Sequence, residues 1–177
     1  HCDVWDEGSE AVATTRTVAR LDNLVMCKLP SAGGGVRALG ASGFRREATS
    51  TEDEIFPGWV SGCLELPPRA VKDPESTGTA STVIFSCFGQ DKALEVAYNR
   101  PDPDDEVGIF DAPNAQRFLL SPGDHFHVPP NNIYRVENRS TTAPAKLFFT
   151  MIASVARDAL DAAPPPGGDD DDSRSSS

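Results

Sequence analysis

The sequence predicts an all-β domain, of the sandwich, jelly-roll or small-barrel kind, and three observations predict it. Through the middle of the chain apolar residues recur at every second position rather than with the helical period of about 3.6. The alternating stretches are short, rich in Val, Ile, Phe and Tyr, and divided by Gly, Pro and Asn clusters. The chain has 177 residues, which suits one domain, and no internal repeat that would argue for a solenoid or propeller.

Strands are expected over residues 60–66, 82–88, 93–98, 117–120, 125–128, 133–136 and 146–152. The dividers are Pro67-Pro68, Ser121-Pro122-Gly123-Asp124, Pro129-Pro130-Asn131-Asn132 and residues 138–144. Pro fixes φ there, and Gly and Asn accept the positive φ of a tight turn. Two longer breaks read as loops: Ser31-Ala32-Gly33-Gly34-Gly35, and residues 100–106, with two prolines among the carboxylates Asp102, Asp104, Asp105 and Glu106. The acidic segment lacks the Asp-x-Asp-x-Asp-Gly order and closing Glu of a calcium loop, so it reads as a surface insertion. One helix is expected, from about residue 153 to 162, with Val155 and Leu160 toward the body and Pro164 stopping it. Beyond it the Pro-Gly stretch, Asp169 to Asp172 and the final serines have nothing to bury and read as a disordered acidic tail.

Lys and Arg number 16 against 27 Asp and Glu, a formal charge of −11. In the tail, Asp158, Asp161 and Asp169 to Asp172 against Arg157 and Arg174 leave −4, and −7 on the rest. Such a balance argues against nucleic acid and anionic lipid as partners, because both need clustered cations. No stretch approaches the ~18 to 20 apolar residues of a membrane span, so a soluble protein is expected. The chain opens on His1 rather than Met, which reads as a processed chain or an excised piece. Cys2, Cys27, Cys63 and Cys87 form no CxxC or metal-spaced cluster and are expected as free thiols, Cys63 and Cys87 as small buried hydrophobes, in a reducing compartment. The sequon Asn138-Arg139-Ser140 would matter only in a secreted protein.

Catalytic patterns are missing. Ser121 and Ser140 stand near turns without a His-Asp pair to activate them, and Gly33-Gly34-Gly35 lacks the Lys-Ser/Thr of a phosphate loop. His125 and His127, two apart on a strand, point the same way and could chelate an ion. Phe126 and Val128 take the other face and, being apolar, should enter the interior, which leaves both imidazoles outside or in an interface.

The run from Gly123 to Asn138 resembles the second signature of the cupin superfamily: Gly, five residues, Pro, one, Gly, two, His, three, Asn. Gly123, Pro129 and Asn138 match; Asn131 stands in the place of the second glycine and Tyr134 in that of the metal-binding histidine. Residues 82–89 resemble the close of the first signature, with Gly89 at its glycine and Thr82 where a liganding Glu would stand; residues 71–76 hold no His-x-His pair. The scaffold is kept while the ligands are lost, which implies a cupin-like jelly-roll barrel without metal or other cofactor.

Among metal-free cupins, the chain resembles the cupin domains of the centromere protein C family of kinetochore scaffolds. The matching segments are residues 56–68, 83–89, 121–138 and 146–152, with Tyr134 in the lost-ligand position and the Leu147-Phe148-Phe149 strand as the specific part. The resemblance implies a flanking segment over 1–13, a cupin domain over 14–156 with a lead-in strand near residues 15–20 and an acidic insertion at 100–116, and a helix end and tail over 157–177. It implies a non-catalytic homodimerisation module in the nucleus, at the centromere and kinetochore, whose partners are a second copy and other centromere proteins. The family's nucleosome-binding arginine-and-tryptophan motif is not in this chain, and Trp5 is no substitute. Strand residues are more apolar than one interior needs, so Val83, Phe85, Cys87, Phe149 and Met151 are the expected dimer contact. Two alternatives stand beside it: a metal-dependent cupin isomerase or dioxygenase using His125 and His127, and a small-molecule binder whose mouth is lined by Trp59, Asn132 and Tyr134. A filled barrel would separate a dimer module from a binder.

Overall fold

The computed structural model describes residues 1–6, 9–32, 35–50, 55–99 and 109–153. Among these residues, fourteen strands and one 3-10 turn are formed. A hairpin comes first, β1 (Cys2–Asp6) with β2 (Ala11–Thr15), followed by the turn at Leu21–Asn23 and then β3 (Cys27–Lys28) and β4 (Leu39–Arg46). A second small hairpin pairs β5 (Thr49–Ser50) with β6 (Ile55–Phe56). The body continues through β7 (Trp59–Leu66), β8 (Val71–Ser76), β9 (Ser81–Phe88) and β10 (Leu94–Asn99). It ends with β11 (Gln116–Leu120), β12 (His125–Val128), β13 (Ile133–Asn138) and β14 (Ala145–Ala153).

Two antiparallel sheets form the body: six strands in the order β12-β9-β14-β7-β4-β3 and four in the order β11-β10-β13-β8. Each of the seven expected strands is present within a few residues of its expected ends. Alternation decides what fills the space between the sheets. From the larger sheet come Leu64, Leu66, Val83, Phe85, Cys87, Val128 and Leu147, and from the smaller one Leu94, Val96, Tyr134 and Val136, all in one buried cluster. Leu29, Tyr98, Leu120, Phe126, Phe149 and Met151 pack against it.

Several expectations are corrected. Val83, Phe85 and Cys87, expected in a dimer contact, are 1–2% exposed and point into the core, while Phe149 and Met151 are half-buried against the same cluster. The period-two pattern was right and its inward face is the other one. Residues 16–20 form no strand; β2 ends at Thr15 and pairs with β1, and the strands added beyond β7 are β4 and, at the edge, β3. The boundary expected after residue 13 falls inside β2. Ala153, expected to open a helix, closes β14, and the rest of that helix lies outside the described residues, as do the tail and residues 100–108 of the acidic insertion. No helix among the described residues is long and apolar enough to cross a membrane.

Candidate functional site

The scaffold positions of the second signature do structural work. Asn131 holds φ +60 and Gly123 φ +92, the left-handed conformations their turns require. Pro129 starts the turn after β12, and its carbonyl accepts from Thr77 Oγ1 at 2.8 Å. Asn138 is fully buried: its Nδ2 donates to the carbonyls of Leu66, Pro67 and Ala143, at 2.8, 3.1 and 2.9 Å, and its Oδ1 accepts from the Ser140 N–H at 3.0 Å. At Gly89 the backbone passes close to β14, where an added Cβ would stand 3.3 Å from Ala145 Cα and Cβ.

The two lost-ligand positions do not meet. Alternation puts Thr82 on the opposite face of β9 from Val83, and its Oγ1 donates to the Val128 carbonyl at 3.0 Å. Tyr134 does face the interior, against a group that the sequence reading missed. A register shift between Tyr134 and Val136 gives β8 an extra residue at the Asp73-Pro74 step. The bulge turns Lys72 and Glu75, three residues apart, to the same side. The Lys72 ammonium is ion-paired with Glu75 and lies 4.3 Å from the centre of the Tyr134 ring, whose hydroxyl donates to Glu75 Oε2 at 3.5 Å. Burial pushes the Lys72 pKa down against the pull of Glu75, and burial followed by the Glu75 charge pushes Tyr134 far up. A cation therefore sits beside the histidine's place, and no group of three or more His, Cys, Asp or Glu side chains converges among the described residues. This donor set does not fit the metal that the cupin fold would otherwise imply.

Aromatic rings close the rest of the interior. Phe85 is stacked on Phe126, with centroids 4.6 Å apart, and stands 5.6 Å from Tyr134 and 6.2 Å from Phe149. Tyr98 lies edge-on to Phe126 at 6.4 Å and donates its hydroxyl to the His127 carbonyl at 3.1 Å. A cleft of about 860 Å³ remains outside them, between Leu29, Pro30, Ser31 and Ala32 and the bulged part of β8. The residues suggested for a binder's mouth are not gathered. Trp59 is on the outer face beside Phe44, at 6.5 Å; Asn132 spends its Nδ2 on the carbonyls of Pro129 and Pro130; Tyr134 is inside.

The outer face of the six-stranded sheet is covered over one half only. Cys63 points outward on β7 yet is buried, its Sγ 3.7 Å from Met26 Sδ. Burial raises its pKa, with Lys146 lowering it and Glu65 raising it. Ala19, Leu21 and Leu24 border a groove with Phe44, Cys63 and Phe148 there. Over β9 and β14 the outward residues remain open: Ile84 is 43% exposed, Phe88 48% and Phe148 42%, with Phe88 and Phe148 edge to face at 5.4 Å. The one charged group between them and β7, Lys146, lies 3.8 Å from Glu65. His125 and His127 continue this face onto β12, while Phe126 and Val128 point inward as expected.

No protein-family model matches the chain, and no curated protein matches it. Among solved structures it is similar to the cupin domain of Schizosaccharomyces pombe Cnp3, at TM-score 0.60 and 18% identity over 93% of each chain. It is also similar to the Drosophila melanogaster CENP-C cupin domain, at TM-score 0.45 and 12% identity over 80% of this chain and 84% of that one. A predicted oxalate decarboxylase from Thermotoga maritima gives TM-score 0.49 and 13% identity over 78% of this chain and all of that one. The likeness to the Cnp3 domain, with two facing antiparallel sheets and the signature turns in place, is one of fold: the chain has the cupin fold.

Proposed function

We propose that this domain is a non-catalytic homodimerisation module of a kinetochore scaffold, working at centromeres in the nucleus. One observation carries the reading: aromatic side chains and a buried ammonium pack the space between the sheets, while Ile84, Phe88 and Phe148 stay open on the outer face of the larger sheet. Charge adds to it. The outward side chains Ile84, Phe88 and Phe148 carry no charge, so two copies can meet there without like-charge repulsion. An isologous contact on that strip would bury the same apolar residues in both chains. The centromere assignment rests on the matching residues around Tyr134 and Leu147 to Phe149 and on the likeness of fold to the Cnp3 domain. Other centromere proteins are the further partners this implies; nucleic acid and membrane are not among them.

The proposed contact is the outward set Ile84, Phe88 and Phe148, in place of Val83, Phe85 and Cys87. Phe148→Asp should give a folded monomer, since an unpaired carboxylate would be desolvated in each copy of the contact. Phe85→Asp, one residue pair away and inward, should unfold the chain. Circular dichroism and sedimentation distinguish the two outcomes, and a Phe148→Asp protein that stays dimeric removes this face from the account.

A further inference from the structure

The geometry points to a transition-metal site on the outer surface, in which the imidazoles of His125 and His127 chelate one borderline divalent cation of the zinc and copper class. The two residues are i and i+2 on β12, so both side chains leave the same face, and both are exposed. The strand beneath them cannot rotate. Phe126 is stacked on Phe85 and Val128 is fully buried on the opposite face, the ladder to β9 sets His125 opposite Ser86 and His127 opposite Ile84, and Tyr98 holds the His127 carbonyl. A chelating pair is therefore held in place before the ion arrives.

Ser86 supplies the supporting contact a metal-binding imidazole needs. Its Oγ lies 2.9 Å from His125 Nδ1. With Nδ1–H donating to that oxygen, the Nε2 lone pair is free and turned outward. Both imidazoles are exposed, which leaves the outer side of β12 open to the ion and its waters. The residues opposite them on β9, Ser86 and Ile84, carry no charge. Neutral imidazole suits zinc and copper rather than calcium or magnesium. Two protein ligands leave the ion unsaturated, and its remaining positions face outward beside Ile84. On the dimer reading above, on which this last step rests, a second copy can fill them, so the ion would tighten self-association.

The test is zinc titration of the full chain under thiol reductant, followed through the histidine side-chain resonances, with His1→Ala as background to remove the third histidine. Saturable, simultaneous shifts of His125 and His127 are expected. His127→Ala should abolish the His125 shift, and Ser86→Ala should weaken binding roughly 10- to 100-fold. Both imidazoles unmoved by zinc, or His125 still titrating in the His127→Ala protein, overturns the site. Mass by light scattering, with zinc and with chelator, separates this from the dimer reading. A dimer in chelator whose histidines ignore zinc sinks the metal site alone; a chelated monomer whose histidines bind zinc together sinks the dimer reading alone.

Discussion

Tyr134 stands where the second signature places a histidine, and its ring now packs on Phe85 while its face takes the Lys72 ammonium. Its titration, with that of its neighbours, should be visible in stability. Burial keeps Tyr134 protonated well above the usual range and pushes Tyr98 and Cys87 up to about 12. A group whose folded pKa is raised adds stability that is whole below its unfolded pKa and lost as pH climbs through the folded one. The window opens at the usual 9.0 for the Cys87 thiol and 10.0 for the tyrosines, so the melting temperature should fall from about pH 9 upward. Lys72, with its pKa lowered from 10.5, works in the opposite sense, below that value. Tyr134→Phe keeps the ring and loses only a 3.5 Å hydrogen bond, so calorimetry should find it near the parent at pH 7 and less alkali-sensitive; an identical alkaline slope contradicts this. Asn138→Ala leaves three carbonyls and one N–H without their partner and should cost roughly 3 kcal/mol or more in urea denaturation. Asn138 and Asn131 were legible because signature spacing names them. Lys72 was not, because an acidic stretch interrupted by Pro74 gives no sign that a bulge turns its lysine inward.

The strands differ in how plainly they announce themselves, and composition is the reason. β9, β13 and β14 carry branched and aromatic residues on a buried face, and their alternation reads directly from the sequence. β4 is Leu-Gly-Ala-Ser-Gly-Phe-Arg-Arg, too rich in small residues for a period to show, and its register shifts between Ser42 and Phe44. It can lie against β7 because Gly62 there has no side chain. An added Cβ would stand 2.1 Å from the Ala41 carbonyl and 2.9 Å from the half-buried Phe149 ring, and the Ala41 backbone cannot give way cheaply. Gly62→Ala should therefore fail to fold, or melt far below the parent, as followed by circular dichroism; a melting temperature within a few degrees of the parent would mean that β4 is not fixed there. Which face of a strand is inward is a harder matter for sequence. Val83, Phe85, Cys87 and Ile84, Phe88 are both apolar sets, and only the second sheet decides between them.

At the scale of the molecule, the described residues form an apolar core between two sheets and leave an apolar strip open on the outer face of the larger one. The fold was legible because Gly123, Pro129, Asn131 and Asn138 keep the signature's turn spacing although Tyr134 stands in the histidine's place. The open outer strip was not, because it depends on what residues 19–26 cover and what they leave open, and nothing in their composition says where they lie. On the proposed reading, a second copy would take that strip out of water. The central claim is thus a statement about mass. Light scattering of the unmodified chain at ~50 μM with chelator present, well above a micromolar Kd, should return twice 18.9 kDa. A single 18.9 kDa species at that concentration contradicts the account.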